Sequence, residues 1–165
     1  MKMGNHTQMS LKGKPQPGDK RRAQQIFAAA RSVLARYSDV NTALRGGYRP
    51  FHPTGELGEE VHYTNYRCNR LEQRHVNYDH PGSILYKRTP EGMKAVGVMY
   101  TVPQDSTPEH LNAVAPLSIA TWHRHVDFCG GPRSLPLEDA KSPNDVWAVM
   151  DMHMDANTDD EEMKK

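Results

Sequence analysis

The chain has 165 residues, which is enough for one domain with terminal extensions. Its 21 Lys and Arg residues nearly balance 20 Asp and Glu residues, so the formal charge of +1 gives no electrostatic footprint for nucleic acid. Only 36% of the residues are hydrophobic, and no apolar run approaches the roughly 18 residues that a membrane span needs. The composition therefore predicts a small core and excludes a membrane-spanning protein.

The N-terminal part divides into an arm and a helix. Residues 1–18 are polar and carry Gly and Pro without periodicity, which predicts a disordered arm. The first residues also lack the apolar segment of a secretory signal. Asp19 is suited to cap a helix, and apolar residues then recur at helical spacing. The residues of this apolar stripe are Ile26, Phe27, Ala30, Val33, Leu34 and Tyr37.

The middle of the chain predicts a short helix and three strands. Residues 39–45 lie between a serine and two glycines, which predicts a short helix. Residues 61–68 are β-branched and aromatic, as in a strand. Residues 84–87 and 95–102 flank a turn at 89–92 with Pro in its second position and Gly in its fourth, which predicts a hairpin.

The last third predicts a further helix after Thr107, a strand over residues 121–129 and a closing helix that opens at residue 142. Apolar residues of the closing helix have helical spacing, and residues 158–165 form a charged tail. We therefore predict one α+β domain over residues 19–157. It has N-terminal helices, a mainly antiparallel sheet of about four strands, and a C-terminal helix.

The predicted strand 121–129 holds the densest set of possible metal ligands. Strand alternation places His123, His125, Asp127 and Cys129 on one face, and Trp122, Arg124, Val126 and Phe128 on the other. Two imidazoles about 6.5–7 Å apart along a strand can chelate one ion. Zinc and copper both accept imidazole, so His123 and His125 are the primary predicted ligands.

A third ligand is predicted from the strand 61–68. His62 precedes Cys68 by six residues, and His123 precedes Cys129 by six. If the two strands ran parallel in register, His62 would lie beside His123 and the two cysteines could form a disulfide. We therefore predict His62 as a ligand and a Cys68–Cys129 disulfide. Two unrelated thiols are the alternative.

A carboxylate from the loop before His62 is predicted to complete the shell. Glu59 is the chosen residue, and Glu56 and Glu60 are alternatives. A second constellation, Met152 with His153, combines a thioether and an imidazole, which favours copper and Cu(I) especially. The N-terminal arm repeats this combination in Met1, Met3, His6 and Met9.

Catalytic motifs are missing from the sequence. It contains no G-x-S-x-G, HExxH, P-loop or GxGxxG pattern. The chemistry predicted from the residues is therefore binding of copper or zinc. A small metalloenzyme with an open coordination position and a metal-free structural or interaction domain are the alternatives.

Several segments resemble a group of uncharacterised bacterial proteins associated with export. The matching segments are GYRPFHP (47–53), HYTNYR (62–67), SILYK (83–87), GVMYT (97–101), PLS (116–118) and WHRHV (122–126). The H-[FY]-T-N and W-H-x-H-V motifs are the most specific, and the resemblance covers about residues 20–130. It implies a periplasmic or secreted location and no particular activity.

The chain departs from this group after the W-H-x-H-V strand. Members of the group continue with a longer segment that carries another aromatic–histidine strand, whereas here residues 130–145 lead directly to the predicted last helix. If that strand completes a metal site in the group, this chain binds metal differently or not at all. The prediction is an exported copper- or zinc-binding protein.

Overall fold

A computed structural model describes residues 7–52, 56–125, 146–148 and 152–153. In these residues helices and antiparallel strands alternate along the chain, which confirms the predicted α+β class. The helices are α1 (Asp19–Arg36), α2 (Val40–Arg45), α3 (Tyr66–Glu72) and α4 (Pro108–Val114). None of the helices in the described part of the chain is long and apolar enough to cross a membrane.

The strands form two sheets in which every pairing is antiparallel. The first has the order β1 (Thr7–Met9), β7 (His123–His125), β8 (Val146–Ala148), β6 (Thr101–Pro103). The second has the order β2 (Arg49–Pro50), β3 (Glu60–Thr64), β4 (Ser83–Thr89), β5 (Gly92–Met99), β9 (Met152–His153). Because β6 follows β5 after the single residue Tyr100, the two sheets meet along this stretch of chain.

Helix α1 covers one face of the second sheet, where it packs against β5. Its buried residues Ala23, Ile26, Ala30 and Val33 follow the predicted apolar stripe. The helix begins at Asp19, and Gly18 takes the cap position with a φ of 90°. The Asp19 carboxylate instead accepts hydrogen bonds from Gln16 N (2.9 Å) and Ser118 Oγ (2.5 Å), so it fastens the start of α1 to the segment before β7.

The predicted hairpin is formed by β4 and β5, which pair from Thr89↔Gly92 to Ser83↔Met99. Strand alternation sends Ile84, Tyr86 and Val98 into the hydrophobic core. Helix α4 was also predicted, and it begins after Thr107, whose hydroxyl accepts a hydrogen bond from His110 N at 3.2 Å.

The predicted strand 61–68 is too long. Strand β3 ends at Thr64 because Asn65 caps a helix: its side-chain oxygen accepts hydrogen bonds from Arg67 N (3.1 Å) and Cys68 N (3.2 Å). Cys68 therefore lies on α3 and not on a strand.

Part of the predicted disordered arm is structured. Residues 7–9 form β1, which pairs with β7, and the chain beyond it stays attached to the same segment. Ser10 N donates to Trp122 O at 2.7 Å, and Gly13 N donates to Leu117 O at 3.0 Å. The prediction is thus wrong for residues 7–13. Their sequence has no periodicity, but backbone hydrogen bonds to a segment far along the chain order them. Residues 1–6 lie outside the described residues.

The predicted closing helix is wrong wherever the structure describes it. Residues 146–148 pair with β6, and residues 152–153 pair with β5. Val146 and Trp147 suit a strand as well as a helix. Backbone pairing with β6 makes this segment a strand. The predicted strand 121–129 is observed at residues 123–125. Residues 126–130 and the charged tail 158–165 lie outside the described range.

Trp122 is completely buried in the core beneath the start of β7. We expect Trp122→Ala to lower the free energy of unfolding by about 3–5 kcal/mol because it leaves a large cavity. Ile119→Ala, at a position that is 48% exposed, is the control and should change stability by no more than about 0.5 kcal/mol. Equal urea midpoints for the two variants would contradict this packing.

Candidate functional site

His123 lies on β7, between β1 and β8. It is directly opposite Met9 on one side and Ala148 on the other. Trp122 is in the core, so alternation puts positions 123 and 125 on the opposite face of the sheet. Arg124 Nε donates to Oε1 of the directly opposite Gln8 at 2.7 Å in an exposed hydrogen bond, which fits the register of β1 with β7. His123 is half-buried.

His62 is not brought to β7. Strand β3 pairs antiparallel with β2 and β4, and His62 is an exposed residue opposite Leu85. The predicted parallel register with β7 is therefore wrong. In the described residues, β3 belongs to the second sheet and β7 to the first. Glu59 lies just before β3, on the same segment as His62 and not on β7. Its Oε2 accepts a hydrogen bond from Glu56 N at 2.9 Å.

The remaining predicted residues are distributed over other elements. Met152 and His153 form β9, opposite Val98 and Gly97 of β5. Cys68 is half-buried on α3, while Cys129 and Asp127 lie outside the described residues. The disulfide thus stays a prediction, although the strand register that suggested it is wrong. Among the residues that the structure describes, no three His, Cys, Asp or Glu side chains are grouped so that they could hold a metal ion.

A buried carboxylate that the sequence did not single out lies at the end of α3. Glu72 is 3% exposed. Its Oε1 accepts a hydrogen bond from Gly82 N (2.7 Å), and its Oε2 accepts two from Thr101, from N (3.0 Å) and Oγ1 (2.8 Å). Asn69 Nδ2 and Gln73 Nε2 in turn donate to Thr101 Oγ1 at 3.2 and 3.1 Å. We call these five residues the Glu72 centre.

Burial governs the electrostatics of the Glu72 centre. Loss of solvent raises the pKa of Glu72 to about 7, although the hydrogen bonds from Gly82 and Thr101 act in the opposite direction. Burial also raises the pKa values of the nearby Tyr48 and Tyr100 hydroxyls and of the Cys68 thiol. The surroundings therefore favour the neutral form of each acidic group.

Segments that are far apart in the sequence meet around this centre. Tyr48 donates its hydroxyl proton to Pro81 O at 2.9 Å, and Asn65 N donates to Gly82 O at 2.9 Å. Thr64 Oγ1 and Ser83 Oγ share a buried hydrogen bond of 2.9 Å. Because both Glu72 oxygens are buried and hydrogen-bonded, the centre fastens α3 to the sheet and offers no open carboxylate to a substrate.

One signal in the sequence points to this arrangement. Asn65 is a favourable cap residue, and a helix that begins after it puts Cys68 and Glu72 four residues apart on one helical face. The partners Gly82 and Thr101 are distant in sequence, and no local pattern identifies them.

No protein-family model matches the chain, and no curated protein or solved structure matches it either. The function must therefore be inferred from the residues of this chain.

Glu72 makes the stability depend on pH. Its pKa is about 7 in the folded protein against an ordinary 4.5, so between these values the folded state binds more protons than the unfolded state. The free energy of unfolding should therefore fall as pH rises from about 4.5 to 7, by roughly 3 kcal/mol. Urea unfolding of the wild type and of Glu72→Gln across this range measures the effect, which the variant lacks. The exposed Glu91→Gln should retain the wild-type slope, and a wild-type slope in Glu72→Gln would contradict this assignment.

Gly82 allows the backbone to approach Glu72. A Cβ atom at position 82 would overlap Glu72 Oε2 and lie 3.1 Å from Asn69 Nδ2. Gly82→Ala should therefore lower the free energy of unfolding by about 1–3 kcal/mol. In a Glu72→Ala background the same substitution should cost clearly less, because the overlapping atom is gone. An equal cost in both backgrounds, measured by a double-mutant cycle, would show that the close approach is unimportant.

Proposed function

We propose that this chain is an exported protein that binds copper or zinc, and that His123 and His125 of β7 are two of its ligands. The observation that carries the proposal is the alternation at β7. Trp122 is buried in the core, and His123 is therefore on the other face, half-buried. Position 125 has the same parity and lies two residues further along the strand.

The surroundings of β7 suit a fixed pair of ligands. The strand is hydrogen-bonded on both sides, by β1 and by β8, and its first neighbour Trp122 is held in the core. A strand fixed in this way keeps positions 123 and 125 at a constant spacing, so less ordering entropy is lost when their two residues bind one ion. Both copper and zinc accept imidazole nitrogen.

The ligand set differs from the one predicted from the sequence. His62 and Glu59 are left out of it because β3 belongs to the second sheet and β7 to the first. The remaining coordination positions belong to water or to residues near β7. Export is supported by the resemblance of residues 20–130 to exported bacterial proteins.

Metal binding by the untagged full chain tests the proposal. We expect the wild type to take up about one equivalent of Zn²⁺ or Cu²⁺ in calorimetric titration, since the imidazole pair holds one ion. His123→Ala/His125→Ala should bind roughly 10-fold or more weakly, because both nitrogen ligands are lost.

Two control variants make this experiment decisive. His75→Ala/His80→Ala removes two exposed histidines between α3 and β4, and His62→Ala removes the exposed histidine of β3. Both should bind metal like the wild type. Unchanged binding in the His123/His125 double variant, or its loss in His62→Ala, would refute the proposal.

A further inference from the structure

The geometry of the β1–β7 ladder points to Met9 as a third ligand of the β7 site, and we infer that the site selects Cu(I) over Zn²⁺. This inference rests on the proposed role of His123 and His125 and adds the identity of the metal. The same ladder makes Met9 and His123 direct partners.

Cross-strand register gives the necessary proximity. In an antiparallel ladder, directly opposite residues share a face, and their Cβ atoms lie about 4.5–5.5 Å apart. Met9 is opposite His123, and Thr7 is opposite His125. Methionine has three rotatable side-chain bonds, so its sulfur can reach an ion that is bound to the neighbouring imidazole.

The register is held firmly on both sides of Met9. Before it, Gln8 Oε1 accepts the hydrogen bond from Arg124 Nε at 2.7 Å. After it, Ser10 N donates to Trp122 O at 2.7 Å, and Trp122 N donates to Ser10 Oγ at 2.9 Å. A one-residue slip would break all three bonds and move Met9 to the other face.

Exposure argues against a packing role for this methionine. Met9 is 42% exposed, whereas a methionine that fills a core gap would be buried. His123 beside it is half-buried. An ion can therefore approach the Met9 side chain from solvent.

In the described part of the chain, the row that continues from His123 through β8 contains no competing ligand. The opposite residue there is Ala148, which has no donor atom, and the next residue along this row is Thr101. The Thr101 hydroxyl is engaged by Glu72, Asn69 and Gln73. Among the described residues of this row, Met9 on the β1 side is therefore the nearest further donor to His123.

The chemistry of the donors determines the metal. A thioether is a soft ligand that selects Cu(I), whereas protein zinc sites use thiolate, imidazole and carboxylate. Two imidazoles alone accept either ion, so the sulfur of Met9 contributes to Cu(I) affinity and leaves Zn²⁺ affinity unchanged.

The test compares the two metals in the untagged full chain. Met9→Leu keeps the size of the side chain and removes the sulfur. Anaerobic competition with a chromophoric Cu(I) chelator should show roughly 10-fold or more weaker Cu(I) binding, while Zn²⁺ binding by calorimetry stays within about twofold. Met93→Leu, on β5 at the distant end of the hairpin, is the matched control and should leave both affinities unchanged.

The outcomes separate this inference from the proposed function. Unchanged Cu(I) affinity in Met9→Leu overturns the role of Met9, and the histidine site stands if His123→Ala/His125→Ala still weakens metal binding. Equal weakening for both metals also overturns it, because Met9 would then act only by positioning β1. If the histidine double variant binds both metals normally, the proposed function and the inference both fail.

Discussion

Much of this structure depends on the hydrogen bonds of the Thr101 hydroxyl. It donates to the buried Glu72 carboxylate and accepts hydrogen bonds from Asn69 and Gln73, so one side chain of β6 holds three residues at the end of α3. Its chain neighbours Tyr100 and Val102 are buried in the core on the other face. Because side chains alternate along a strand, this short stretch joins a hydrophobic face to a polar one.

The polar face continues across the sheet to β7. Register aligns Thr101, Ala148, His123 and Met9 in one row, so the Glu72 centre and the proposed metal site share a face of the sheet. Two strand spacings, about 10 Å, separate Thr101 from His123. Among the described residues, Glu72 is not grouped with two other His, Cys, Asp or Glu side chains that could hold an ion. The Glu72 centre stabilises the fold, and β7 carries the proposed binding chemistry.

The sequence predicts the elements that depend on local residue spacing. It does not predict which strands far apart in the chain pair with each other. The apolar stripe of α1 and the β4–β5 hairpin are local patterns, and both predictions are confirmed. A spacing of six residues does not determine which strands become neighbours, so the predicted pairing of His62 with β7 is wrong. The burial of Glu72 and the position of Met9 likewise depend on partners far along the chain. Backbone interactions that local patterns do not reveal explain the remaining wrong predictions. Capping by Asn65 makes residues 66–72 a helix, and pairing with β6 makes residues 146–148 a strand.

The proposed chemistry of β7 is copper binding through imidazole nitrogen and the sulfur of Met9. X-ray absorption at the copper K-edge of the Cu(I)-loaded full chain tests it most directly. A shell with both nitrogen and sulfur scatterers, reduced to nitrogen alone in Met9→Leu, is the predicted result. A shell of nitrogen and oxygen only in the wild-type protein would contradict the account.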